Sequence, residues 1–139
     1  MLKQIPPIIP PELMKIMMEM GHGDELLLCD GNYPRNGSPE RCVRMDGHGV
    51  PEILDAILRF LPLDAYVEHP ALLMATGPEK PEPDVWRTYR EIGARYEPDG
   101  LREAQLERFD FYERGRKAYA CVATGETALY ANIILKKGV

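Results

Sequence analysis

One side chain with the chemistry to move a proton near neutral pH, His22, stands between two glycines in Met20-Gly21-His22-Gly23-Asp24. Imidazole, with an ordinary pKa of about 6.5, both gives and takes a proton in that range, and the flanking glycines leave its backbone free. Spacing alone favours a plainer account, a helix cap and turn carrying an exposed ring. Asp30 closes an apolar run a little further on. A carboxylate there can orient a histidine or accept from sugar hydroxyls, and it serves equally as a turn former. Arg108, Tyr112 and Arg114 fall in one segment. If that segment is helical they lie near one another, and arginine with tyrosine binds a polyol through donors and an aromatic face. Solvated helix charges account for the same residues.

Other chemistries find less support. His22, Asp24, His48, His69 and three cysteines include metal-ligand types, yet no pair has recognised zinc spacing. Cys29 lies inside an apolar run, where a cysteine is packed rather than activated. Cys29, Cys42 and Cys121 are odd in number and lack a C-x-x-C pair, so reduced, buried thiols are expected. Neither Gly21-His22-Gly23 nor Asp46-Gly47-His48-Gly49 has the glycine spacing that cradles phosphates, so no nucleotide cofactor is expected. The methionines at 14, 17, 18 and 20 read as core or interface packing.

These residues need a scaffold. The 139 residues fit one domain, and 45% hydrophobic with 28% charged residues is ordinary globular composition. A net charge of -5, with Lys and Arg scattered among the acids, gives no footprint for nucleic acid. The N-terminal segment has no apolar signal region, and no stretch approaches the roughly 20 apolar residues that span a bilayer. A cytoplasmic protein is expected.

Along the chain, Leu13, Ile16, Met17 and Met20 repeat at helical spacing after Pro10-Pro11, with Gly21 placed as the helix C-cap. The run 25–30 reads as a strand buried on both faces of a parallel sheet, with Asp30 at its carboxyl end. Residues 31–40 are turn-rich and read as a surface loop. A short strand is expected over 41–45, a helix from Pro51 to Leu61, a strand over 72–75, and a helix over Asp84 to Tyr96. A short helix follows over 109–117. Strands over 118–124 and 128–135 are separated by Thr124-Gly125-Glu126-Thr127, which reads as a hairpin-like turn. The alternation argues an α/β sheet, whose ligands favour the crevice beyond the carboxyl ends of the strands. That edge holds Asp30. A strand of six residues separates it from His22 by about 20 Å, a gap that a neighbouring subunit can bridge.

Several segments carry more than local information. Leu2-Lys3, Pro10-Pro11-Glu12-Leu13, Met20-Gly21-His22-Gly23-Asp24-Glu25, Arg44-Met45-Asp46-Gly47, Leu61-Pro62-Leu63-Asp64, Phe111-Tyr112-Glu113-Arg114, Thr124-Gly125-Glu126, Tyr130-Ala131-Asn132-Ile133 and the terminal Leu135-Lys136-Lys137-Gly138-Val139 occur in family-like order. Together they resemble the fucose mutarotase and ribose pyranase family almost end to end. The resemblance implies a single domain over 1–139, an α/β layered sheet with flanking helices of ribose pyranase-like fold. It implies interconversion of the α and β anomers of L-fucose or a related free monosaccharide, without metal or other cofactor. His22 matches the catalytic histidine; Asp30, Arg108, Tyr130 and Asn132 match sugar-binding positions, and Asp64 and Tyr112 match further contacts. It also implies ring-shaped homo-oligomers, pentamers or decamers, with sites between neighbouring subunits.

Two alternatives stay open at this level, a D-ribose pyranase and a non-catalytic sugar-binding module. The pyranase branch carries histidine where Arg108 stands, so arginine favours the fucose branch. The loop 31–36 departs from the family pattern, which bears on sugar preference. Gly115 replaces a usual helix alanine, an exchange expected to weaken that helix by about 1 kcal/mol.

Overall fold

A continuous apolar strand must be covered on both sides, and the sheet of this protein is built that way. The computed structural model describes residues 1–139. Its elements are α1 (Pro11–Glu19), β1 (Glu25–Cys29), β2 (Cys42–Met45), α2 (Val50–Leu58), β3 (Ala71–Met74), α3 (Asp84–Tyr96), β4 (Glu103–Leu106), α4 (Arg108–Arg116), β5 (Ala120–Thr124) and β6 (Ile133–Lys136), with a 3₁₀ turn at Arg35–Gly37. The six strands form one sheet in the order β2-β5-β1-β6-β3-β4. β6 runs antiparallel to both its neighbours, and every other pairing is parallel.

Alternate side chains go to opposite faces of a strand, so each apolar strand feeds two cores. Leu26, Leu28, Leu73, Val122, Ile133 and Leu135 join α1, α2 and α3 in the larger core. Leu27, Cys29, Leu72, Met74, Cys121 and Ile134 pack on the other face against Phe111 of α4. This is the layered α/β sheet with flanking helices, and it explains why β1 lacks any polar alternation. No helix is long and apolar enough to cross a membrane.

Several expectations are corrected. Gly21 is not a left-handed C-cap: α1 ends as Met20 turns extended, and Gly23 takes the positive φ of 88°. Gly21 N–H instead donates to Asp24 Oδ2 at 2.7 Å, closing the turn that carries His22. The sheet is mixed rather than parallel. Residues 124–127 form no hairpin, because β1 lies between β5 and β6. The chain passes over the carboxyl end of β1 instead, where Gly31 N–H donates to the Glu126 carbonyl at 2.9 Å. That crossing consumes residues 126–132, so the last strand starts at Ile133 rather than 128. β4 was not expected, since Glu103 and Gln105 break its apolar character; as an edge strand it pairs with β3 alone.

Candidate active site

The carboxyl ends of β1, β3 and β4 and the amino end of β6 come together at one edge of the sheet, because β6 is antiparallel to its neighbours. Asp30 follows β1, Asn132 precedes β6, and Arg108 opens α4 directly after β4. With Tyr112 and Tyr130 they line a cavity of about 220 Å³, whose walls also include Tyr33, Met74 and Leu129. Pockets for drug-sized ligands run to roughly 300–1,000 Å³, so this one suits a small molecule. A second cavity of about 510 Å³ adjoins it and shares Arg108 and Tyr130.

Asp30 is 7% exposed. Its N–H donates to Asn132 Oδ1 at 2.8 Å, and its Oδ1 accepts from Asn32 N–H at 3.0 Å. Burial pushes its carboxyl above the usual aspartate range, opposed by the hydrogen bonds of Asn32 and Asn132. Asp30 thus forms the turn, one oxygen shaping the loop, while the residue also lines the cavity. On α4, Arg108 Nε donates to Tyr112 Oη at 3.0 Å across one helical turn. Arg114 does not join them. Its guanidinium makes a two-pronged pair with Glu25 at 2.7 and 2.8 Å, fastening α4 to β1.

Tyr130 has a φ of +57°, a left-handed conformation that an aromatic residue adopts only when its surroundings enforce it. Those surroundings come from α3. Trp86 Nε1 donates to the Tyr130 carbonyl at 2.8 Å and Tyr89 Oη to the Ala131 carbonyl at 2.6 Å, both from buried side chains. In the sequence Trp86 and Tyr89 fall within the helix expected over Asp84 to Tyr96; their polar tips carry no local sign of this backbone clamp. Tyr33 and Asn32, which also line the cavity, carry no local sign of it either.

His22 stands elsewhere. It lies just before β1, at the opposite edge of the sheet from Asp30, about 20 Å away at roughly 3.3 Å per strand residue. Asp64 is there too, its N–H donating to the Lys136 carbonyl at the far end of β6. His22 Nε2 is 3.1 Å from Asp64 Oδ1, and its ring centroid is 5.5 Å from that of Tyr66. Asp64 is 3% exposed and also accepts from Tyr66 N–H at 2.9 Å. That backbone hydrogen bond, then the contact with His22, holds its carboxyl below the usual aspartate range. An ionised carboxylate only accepts, so Nε2–H of His22 donates and Nδ1 remains the basic nitrogen. The imidazole is 44% exposed.

The other histidines have partners of their own, His48 with Glu52 and His69 with the Arg102 carbonyl. No group of three or more His, Cys, Asp or Glu side chains is gathered as a metal ion would need. Cys29 and Cys121 are buried free thiols with sulfurs 3.5 Å apart, whereas Cys42 is half-buried. Hydrogen bonding to Cys29, then burial, pushes the Cys121 thiol up to about 12.

The chain thus carries two separate polar constellations, one at each edge of the same sheet. Residues 3–139 match the model of the RbsD / FucU transport protein family. The chain belongs to that family. It is 48% identical to the fucose mutarotase of Homo sapiens, covering 99% of this chain and 94% of that protein. It is 43% identical to the L-fucose mutarotase of Actinobacillus pleuropneumoniae, covering 100% and 97%. The structure of the fucose mutarotase of Streptococcus pneumoniae in complex with L-fucose superposes with a TM-score of 0.93 at 51% identity, over 99% of both chains. Bacillus subtilis RbsD complexed with D-ribose shares the fold, with a TM-score of 0.75 at 20% identity over 100% and 98% of the chains.

Proposed function

We infer that this protein is a fucose mutarotase, catalysing exchange between the α and β anomers of L-fucose. The observation that carries this reading is the half-identical, full-length likeness to a fucose mutarotase whose structure contains L-fucose. The cavity at the carboxyl edge adds chemical support: Asp30 and Asn132 offer acceptors and donors for hydroxyls, Arg108 offers donors, and Tyr112 and Tyr130 add aromatic faces with hydroxyls.

Anomeric exchange needs a proton taken from the O1 hydroxyl and one delivered to the ring oxygen as the C1–O5 bond breaks. Rotation about C1–C2 and the reverse transfers then close the ring on the other face. No electron changes hands, so a base and an acid suffice, with a gain of about 10² to 10⁴-fold for each positioned proton transfer. His22 is our candidate base through Nδ1. Asp64, whose place in the family pattern suggests a sugar contact, is assigned here to fixing the tautomer and orientation of His22.

Because His22 and Asp30 lie at opposite edges, a working site takes the cavity of one subunit and the His22–Asp64 pair of another. Contacts of this head-to-tail kind close into rings. We therefore propose a ring-shaped homo-oligomer, with the pentamer and the paired decamer as candidate assemblies. The free thiols suit a reducing compartment such as the cytoplasm.

Exchange spectroscopy by NMR on equilibrated L-fucose tests the reading. The wild-type protein is expected to accelerate exchange between the anomeric signals, and His22→Ala to return the rate to background. Acceleration of no sugar overturns the activity, and an unchanged rate in His22→Ala overturns the role of His22. D-Ribose in the same assay separates a pyranase, and anomer-selective binding without acceleration identifies a binding module.

A further inference from the structure

We propose that Lys80 is a positioning residue for this reaction, orienting the Tyr130 hydroxyl so that its proton faces the sugar cavity; the inference rests on the mutarotase reading above. Lys80 Nζ lies 3.2 Å from Tyr130 Oη and 5.4 Å from the centroid of its ring. An ammonium has three donors and no acceptor, so in this pair the phenolic oxygen must accept. With that side of the oxygen occupied, the hydroxyl proton is left to a different acceptor. Tyr130 lines the same cavity as Asp30, Arg108 and Asn132, so a sugar oxygen there is the acceptor within its reach.

Both partners are held in place by the backbone. Tyr130 is fixed in its left-handed conformation by the Trp86 hydrogen bond. Lys80 ends a turn in which its N–H donates to the Gly77 carbonyl at 3.4 Å, and Thr76 Oγ1 donates to the Lys80 carbonyl at 3.2 Å. Gly77 makes that turn with a φ of +100°. Pro81 and Pro83 follow directly and stiffen the exit. The other charged groups facing the two cavities that meet at Tyr130 are Arg108, Asp30 and Glu107.

The orientation gives Tyr130 a defined part in the chemistry. As His22 takes the O1 proton and the electron pair of that bond forms the C1=O1 carbonyl, the C1–O5 pair leaves on O5. The Tyr130 hydroxyl supplies the proton to O5 and becomes a phenolate beside the Lys80 ammonium. Ring closure runs each transfer backwards, so nothing is consumed. Lys80 touches no reacting atom; it acts through Tyr130.

The test is a double-mutant cycle read by exchange spectroscopy on L-fucose, with wild-type protein, Lys80→Met, Lys80→Arg, Tyr130→Phe and the Lys80→Met/Tyr130→Phe pair. Lys80 is exposed, so its replacement should leave Tm unchanged. Lys80→Met is expected to lower kcat about three- to tenfold with KM little altered, the loss of one solvent-exposed charged hydrogen bond. Lys80→Arg, which also carries donors alone, should restore most of it. In the Tyr130→Phe background, Lys80→Met should have no further effect. An active wild type with Lys80→Met at full kcat, or losses that multiply in the pair, overturns the proposal for Lys80 and leaves the mutarotase reading standing. An inactive wild type overturns that reading itself.

Discussion

Nε2 of His22 stands 3.1 Å from Oδ1 of Asp64, a carboxylate almost wholly removed from solvent. The pair is built from two distant turns, one entering β1 and one beside the end of β6, and Tyr66 N–H completes the carboxylate's environment. It is the arrangement by which a buried acid sets the tautomer of a histidine.

Replacing Asp64 with asparagine removes the fixed charge but keeps an oxygen for Tyr66 N–H. Exchange of L-fucose anomers should then fall about 10- to 100-fold, the worth of a charge-assisted hydrogen bond. The pH dependence of stability should change as well. A carboxyl whose folded pKa lies below its unfolded value of about 3.9 stabilises fully above that value and stops doing so as pH falls through the folded pKa. Urea unfolding of wild type against Asp64→Asn should therefore show a constant wild-type advantage from pH 5 to 7 that shrinks below about pH 4.

Asp30 carries the opposite sign. Burial raises its pKa, so its ionised form costs stability above the unfolded value, and the cost is relieved as pH falls through the folded pKa. Asp30→Asn should leave Tm at pH 7 equal or higher while abolishing measurable acceleration of exchange. Differential scanning calorimetry alongside the NMR assay checks both. A large fall in Tm would mean that Asp30 is held for the fold.

Gly115 sets helix propensity against packing. Alanine at an interior helix position is favoured by about 1 kcal/mol over glycine. A Cβ at Gly115, however, would sit 2.5 Å from both the Gly37 carbonyl and Tyr33 Oη. Gly115 is there because the Arg35–Gly37 turn crosses α4 at close range, which corrects the view of it as a mild helix weakener. Gly115→Ala should destabilise by about 1–3 kcal/mol in urea unfolding, as overpacking does, and raise KM by moving Tyr33 in the cavity wall. A net stabilisation would show that the turn yields freely.

The legible part of the fold was what local pattern controls. α3 was placed residue for residue, and β1 within one residue, its strand ending at Cys29 just before Asp30, because its apolar run is uninterrupted. The insertion of β6 between β1 and β3 was not legible, since β5 and β6 are both apolar up to their last residues, Thr124 and Lys136, and nothing local says that a third strand parts them. In the site, spacing on α4 paired Arg108 with Tyr112, while Tyr130 and Asn132 rested on family resemblance. The clamp of Trp86 and Tyr89 on that segment spans some forty residues of chain and has no local signature. The separation of His22 from Asp30 was legible from strand length alone, and that geometric fact is the ground for proposing a site shared between subunits.

The most direct measurement of that claim mixes two defective subunits. His22→Ala keeps the cavity and Asp30→Ala keeps the His22–Asp64 pair, so each alone should exchange L-fucose anomers at background rate. Co-expressed or unfolded and refolded together in equal amounts, they should recover about a quarter of wild-type activity per subunit, the fraction of random neighbours that join two intact halves in a head-to-tail ring. A mixture that assembles with wild-type size yet stays at background, beside an active wild type, would contradict a site shared between subunits.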